Sequence, residues 1–284
     1  METGLDYAFL KYIGVTSENQ IPVRRFFLPF FSGCKRVVDL GCGGGDFVAL
    51  LKEAGVEALG VDADPLSCAS MRERNLPVIE QDVIAYLESI EASSLDGIYS
   101  AHLVEHLPYE AVLKLIRLAY RALRPGGRLV LVTPNPRSLF AHLELYHMHF
   151  GHEAFYHPKL LSFFLDYCGF ERIEDGENPH SGSFLLGQEA FSPTMPHLRQ
   201  GIIQYRRQFP PVSNLARRLI RWGKTLLFRF VVQPFLDDVV GQANQILLNH
   251  HTTLQRIQAL DRPFECYVIG HKPAQSENQQ DSGR

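Results

Sequence analysis

Long apolar runs are missing from this chain. No stretch reaches the roughly eighteen uninterrupted apolar residues of a spanning helix, so no transmembrane segment is expected. No basic n-region followed by a short apolar core begins the sequence, so no secretory leader is expected either. Cysteine is sparse. The five present, Cys34, Cys42, Cys68, Cys168 and Cys266, are scattered without C-x-x-C spacing. That argues against a disulfide framework or a cysteine zinc site and fits a reducing, cytoplasmic setting. An excess of one charge is also missing: the net charge is −3 over 284 residues, so no global attraction to nucleic acid is expected. The dinucleotide fingerprint G-x-G-x-x-G does not occur.

What is present is an ordinary globular composition, with 45% hydrophobic residues, enough for a substantial core. The length suits one large domain or one domain with a sizeable insertion. The most telling stretch is Arg36-Val37-Val38-Asp39-Leu40-Gly41-Cys42-Gly43-Gly44-Gly45-Asp46. A β-branched run ends in an acid, a glycine turn follows, and a helical pattern starts at once. Gly41 and Gly43 permit positive φ and close backbone approach to a ligand. Gly45 lets a helix start near the strand with its N–H groups aimed at whatever sits there. A bare strand-to-helix turn with no ligand is the alternative. Glu57-Ala58-Leu59-Gly60-Val61-Asp62 is a second apolar run ending in a carboxylate, about twenty residues on, where a ribose-binding acid is expected in a doubly wound sheet.

Together these motifs resemble class I S-adenosylmethionine-dependent methyltransferases. The resemblance continues through Gln81-Asp82-Val83, the strand Leu95-Asp96-Gly97-Ile98-Tyr99-Ser100, the loop Ala101-His102-Leu103-Val104-Glu105-His106-Leu107 and the turn Leu123-Arg124-Pro125-Gly126-Gly127. It implies a Rossmann-like α/β fold: a seven-stranded, mostly parallel sheet whose last strand is antiparallel. It also implies S-adenosyl-L-methionine as cofactor. Asp39, Gly41, Cys42, Gly43 and Gly45 would surround its methionine part. Asp62 with Ala63 would meet the ribose, Asp82 with Val83 the adenine, and His102 would border the sulfonium. The stretch Phe155-Tyr156-His157-Pro158 looks like one found in relatives from bacterial surface-polysaccharide and glycolipid pathways. In quinone-forming relatives the 101–107 loop looks similar, with Glu where this chain has His102.

The chain alternates apolar strand runs with helical periodicity, as a mostly parallel sheet requires. Helices are expected over residues 46–54, 65–74, 109–123 and 158–168, and strands over 129–133, 170–174 and 264–270. Residues 1–33 form a helical cap, read either as cover for the sheet through Phe26, Phe27, Phe30 and Phe31 or as a lid over the cofactor. The core is expected at 34–175 and 263–273. Roughly ninety residues separate the last two strands, far beyond ordinary loop length. Hence a mostly helical insertion is expected at 176–262, and a disordered tail at 274–284.

Methyl transfer from a sulfonium asks the protein mainly to position two substrates and exclude water. Glu105 and His106 are the catalytic candidates, His106 as base to an acceptor hydroxyl. The alternative has Glu105 bracing backbone and His106 packed under a helix. His102, Glu105 and His106 at i, i+3, i+4 would share a face if helical, yet no metal is expected from them. The histidine-rich segment 142–157 follows the fifth strand. His149, His152, Tyr156 and His157 are its acceptor candidates, suited to hydroxyls and sugar faces, or else it is a surface loop. As zinc ligands, His147-x-His149 and His149-x-x-His152 lack a clean third partner. Residues 215–233 carry Arg217, Arg218, Arg221 and Lys224 on one arc of an apolar helix. That pattern suits peripheral contact with the inner membrane face, or packing on the core or a second subunit. The 237–260 pattern suits a homodimer contact.

The expected activity is methylation of a sugar hydroxyl on a glycan or lipid-linked saccharide. The alternatives are O- or N-methylation of a small metabolite, or a non-catalytic cofactor-binding scaffold.

Overall fold

The computed structural model describes residues 4–138, 141, 149–182, 238, 241–242, 245 and 262–274. The chain divides into two units, residues 1–184 with 260–284, and residues 185–259. In the second, the described Asp238, Gly241, Gln242 and Gln245 are helical and exposed, and Gln242 donates to Asp238 one turn earlier. The rest of that unit lies outside the described residues. So do residues 215–233, all but those four residues of the 237–260 pattern, and the tail past residue 274.

The first unit is built on a seven-stranded sheet: β1 (Arg36–Leu40), β2 (Glu57–Asp62), β3 (Val78–Glu80), β4 (Leu95–Ala101), β5 (Leu123–Pro134), β6 (Glu171–Glu177) and β7 (Glu265–His271). Their order is β3-β2-β1-β4-β5-β7-β6, parallel except for β7, which runs antiparallel to both neighbours. The expected topology is therefore the one observed. Its helices are α1 (Leu5–Tyr12), α2 (Ser17–Arg25), α3 (Asp46–Glu53), α4 (Pro65–Glu73), α5 (Val83–Ser89), α6 (Tyr109–Ala122) and α7 (Pro158–Tyr167). No helix of the described residues is long and apolar enough to cross a membrane.

Strand pleating assigns side chains to two cores. On one face Leu40, Ile98, Leu129 and Leu131 meet α5, α6 and α7 through Leu87, Ile116 and Leu165. On the other Val37, Tyr99, Val130 and Val132 meet α3 and the N-terminal segment through Phe47, Leu51, Phe27 and Phe31. Phe27 and Phe31 are almost wholly buried, so the aromatic run does cover the sheet. It does so from a short 3-10 turn, Leu28–Phe31, with Pro29 in its opening turn, rather than from one continuous helix.

Two strand boundaries and one helix differ from expectation. Strand β5 begins at Leu123 because the Pro125-Gly126-Gly127 turn joins the ladder: Gly126 N–H donates to Lys272 O and Lys272 N–H to Gly127 O. A bulge between Leu95 and Gly97 absorbs the extra residues. Strand β6 extends to Glu177 because it pairs with β7 as far as Cys266, while Phe170 before it turns inward against Tyr120. Helix α5 was not anticipated; Asp82 starts it by accepting the Ile84 and Ala85 N–H groups.

Candidate active site

A cavity of about 750 Å³ opens outside the carboxyl ends of β1, β2 and β4, where the strand order reverses between β1 and β4. Open α/β sheets bind ligands at this crevice. Its floor is the glycine turn. Gly41, Gly43 and Gly45 all have positive φ, at 71°, 52° and 78°. Gly41 N–H donates to Val61 O at 2.8 Å, which ties the turn to the neighbouring strand. A Cβ on Gly43 would meet nothing within 4 Å, because that residue faces the cavity. Gly45 does not line the cavity; its hydrogens face Met71, where a Cβ would approach within 2.6 Å. Its work is helix packing. Arg74 straps the turn from outside through Gly44 O and Asp46.

Asp62 sits across from this turn. Its Oδ2 accepts Gly43 N–H at 2.8 Å and its Oδ1 accepts Asp64 N–H at 2.8 Å. Each carboxylate oxygen has a second lone pair, so Asp62 can brace the turn and still receive ribose hydroxyls. Ala63, Asp82 and Val83 line the adjoining wall. Asp82 spends Oδ1 on α5, which leaves Oδ2 for a ligand donor.

Asp39 lies deeper and is almost fully buried. Burial pushes its pKa up to about 8, opposed by the Arg24 cation and reinforced by Asp62 and Asp46. A cationic ligand head above it would supply the missing countercharge.

The opposite wall is an ionic network in which the partly exposed His102 sits between two buried carboxylates. His102 ends β4 in the left-handed region, φ 55°, which lays Leu103 over Gly41. Its Nδ1 meets Glu105 Oε1 at 3.0 Å and its Nε2 meets Glu265 Oε1 at 2.7 Å. Burial alone would lower its pKa, but the two carboxylates outweigh this and raise it to about 9. The ring is thus a cation whose two N–H groups are both donating, with no lone pair for an acceptor proton. Glu265 also receives Arg24 at 2.8 Å and Asn178 at 2.9 Å. Against the upward push of burial, Arg24 foremost and then His102 hold its carboxyl down at about 2.

Glu105 is fully buried, takes a hydrogen bond from Thr133 as well, and does not line the cavity. It positions His102 rather than meeting a substrate. The shared face that a helix would give His102, Glu105 and His106 does not form, because the left-handed residue and the 3-10 turn Val104–His106 point His106 elsewhere.

His106 does reach the cavity, beside His149 and His152. Its Nδ1 donates to Gly151 O at 2.9 Å, which fixes the tautomer and leaves the Nε2 lone pair available. Tyr156 and His157, expected beside the acceptor, lie outside the cavity. Tyr156 is buried with its hydroxyl on Leu107 O, and His157 caps α7 through Lys159 N–H. His142 lies outside the described residues, as does His147. Sequence reasoning assigned no role to Arg24, Glu265 or Asn178. A lone carboxylate in the apolar run of β7 was the available signal for Glu265.

Fold and site together define a class I S-adenosylmethionine-binding α/β enzyme. A family profile described as "Methyltransferase domain" matches residues 17–173, more than half of the chain. The chain therefore belongs to that methyltransferase family. It is similar to a solved SAM dependent methyltransferase from Archaeoglobus fulgidus, 26% identical with a TM-score of 0.63, covering 94% of this chain and 100% of that one. A putative methyltransferase of Haloferax volcanii, solved with the Trm112 activator, shares the fold at 13% identity and TM-score 0.57, covering 96% of this chain and 97% of that one. Among curated proteins, the ubiquinone biosynthesis O-methyltransferase of Nitrosococcus oceani is 33% identical over 106 residues, 36% of this chain and 44% of that one. The mouse mitochondrial enzyme of that name is 29% identical over 116 residues, 38% of this chain and 30% of that one. The chain thus spans less than half the length of these curated relatives.

Proposed function

We propose that this enzyme O-methylates a hydroxyl on a small, largely apolar molecule. One observation carries the reading: three imidazoles line a cavity whose lining also includes the apolar Leu5, Leu10, Ile13 and Val15 of the N-terminal segment, with Phe264. An imidazole whose Nδ1 is held by a backbone carbonyl, as in His106, presents Nε2 to an acceptor hydroxyl. Apolar walls suit a hydrocarbon or aromatic body better than a polyhydroxylated sugar, whose hydroxyls would lose water without finding partners. This supports the metabolite alternative over the glycan acceptor expected from the histidine-rich segment. The O-methyltransferases among the relatives support the same bond type.

In this reading Asp62 and Asp82 orient the nucleoside, the glycine turn and Asp39 hold the methionine part, and the charged network of His102 shapes the wall beside the sulfonium. The acceptor oxygen attacks the methyl carbon in line as the carbon–sulfur bond breaks, and S-adenosylhomocysteine leaves. The test is a labelled-methyl transfer screen over alkylated phenols and catechols, amines, free sugars and lipid-linked sugars. Ether products on hydrophobic phenols are expected. Transfer confined to amines or to sugars would overturn the reading.

A further inference from the structure

We infer that His106, His149 and His152 form a binding site for one borderline divalent cation of the zinc class, at the acceptor end of the cavity. Their candidate ligand atoms all lie within 4.8 Å of one another. The three ring centroids form a nearly equilateral triangle, each pair 4.9 Å apart. Ligand atoms no more than 4.8 Å apart put an ion at their centre within about 2.8 Å of each, and side-chain adjustments of about 0.7 Å bring it to a zinc–imidazole bond near 2.1 Å. The third ligand that the histidine-rich segment lacks in sequence is supplied by a loop more than forty residues upstream.

The backbone holds the two loops together at this point. Glu153 N–H and Ala154 N–H both donate to Glu105 O, next to His106, at 2.8 and 3.1 Å. His152 N–H reaches back to His149 O, which folds those two residues into one turn. Gly151 is the pivot. Its carbonyl accepts from His106 Nδ1, the outer-shell bond that orients a ligating imidazole. Its N–H donates to His149 Nδ1 at 3.1 Å. Ligation of His149 through Nε2 moves its ring proton to Nδ1 and gives up that bond. A Cβ on Gly151 would stand 2.9 Å from His106 Nδ1 and 3.3 Å from His149 Cε1, so the glycine is what lets the rings converge. Phe9 of α1 meets the His149 ring edge-on at 5.3 Å and Phe150 stacks on it at 4.9 Å, which fixes the plane of that ring.

The donor set decides the ion. Three neutral imidazoles suit zinc, cobalt or nickel and do not suit magnesium or calcium, which prefer oxygen. Three protein ligands facing a cavity leave a fourth position open, the arrangement of catalytic rather than structural zinc sites. This deepens the O-methylation reading and rests on it for its chemical role. An acceptor hydroxyl in the fourth position releases its proton to solvent. Its oxygen lone pair then forms the bond to the methyl carbon while the pair of the broken carbon–sulfur bond returns to sulfur; the metal changes no oxidation state. His106 then acts through the ion instead of as a bare base.

The test uses the full, tag-free chain after chelator treatment, and its readouts need no acceptor, so they succeed or fail independently of the O-methylation reading. Zinc competition against a chromophoric chelator should give one equivalent. Cobalt should give the intense visible spectrum of a four-coordinate site, and X-ray absorption should find three imidazole nitrogens. The double variant H149Q/H152Q should weaken zinc at least about 100-fold while S-adenosylmethionine binding by calorimetry is kept, which reports an intact fold. Equal zinc binding by wild type and double variant would overturn the site. So would a cobalt spectrum of an octahedral, water-rich ion in the wild type, a result that does not depend on any variant folding.

Discussion

Replacing Glu265 by Gln tests the network that closes the cavity wall. The side chain is 6% exposed and sits between Arg24 and His102, each within 2.8 Å, with Asn178 on its other oxygen. Its carboxyl is held at about 2, against an ordinary 4.5, by the Arg24 cation and the His102 hydrogen bond working against burial. That depression of about 2.5 pH units corresponds to about 3 kcal/mol at pH 7. Gln approximates the protonated acid in shape, so the variant should lose about that much. It should melt roughly 6–12 °C lower, given about 2–4 °C per kcal/mol for a domain of this size. The sign follows from the depressed pKa. The contribution is fully present above pH 4.5 and is lost as pH falls through 2. The gap between wild type and variant in urea titrations should therefore shrink to about 1 kcal/mol at pH 3. A gap below about 1 kcal/mol at pH 7, or one that does not narrow between pH 5 and pH 3, would refute the reasoning.

Two further outcomes follow from the opposite wall. Asp62→Ala removes the brace on Gly43 N–H and, in the proposed reading, the ribose acceptor. At about 1.5–3 kcal/mol per hydrogen bond to a charged group, S-adenosylmethionine should bind about 100-fold more weakly by calorimetry, and unchanged affinity would sink the ribose assignment. Asp39, raised to about 8 by burial, carries its proton at pH 7, so a cationic cofactor should expel it. Calorimetry in buffers of different ionisation enthalpy should show proton release that Asp39→Asn abolishes; proton uptake by the wild type would contradict the placement. Because the folded pKa is raised, Asp39 also makes the ligand-free protein lose stability as pH rises from about 4 to about 8.

Local periodicity and punctuation determined most of the fold. The β-branched runs, glycine stops and amphipathic spacing located β1, β2, β4, α3, α4 and α6 to within a residue or two, because each encodes its own hydrogen bonds and its own buried face. That Asp39, Gly41, Gly43, Asp62 and Asp82 share one cavity was legible for the same reason: all lie at strand ends or helix starts, where position along the chain dictates position in the sheet. Short helix α5 escaped because its seven residues carry too little periodicity to register.

The tertiary structure decided what long-range contacts control. Only the folding of β7 beside β5 brings Glu265 to His102, 163 positions apart, and turns an expected sulfonium neighbour into a locked cation. Only the seating of the 149–154 loop on Glu105 O brings His149 and His152 to His106 while sending Tyr156 and His157 elsewhere. Spacing along the chain measures neighbours within one element; it holds no record of which two loops share a hydrogen bond, and at the acceptor end of this cavity that pairing is the chemistry.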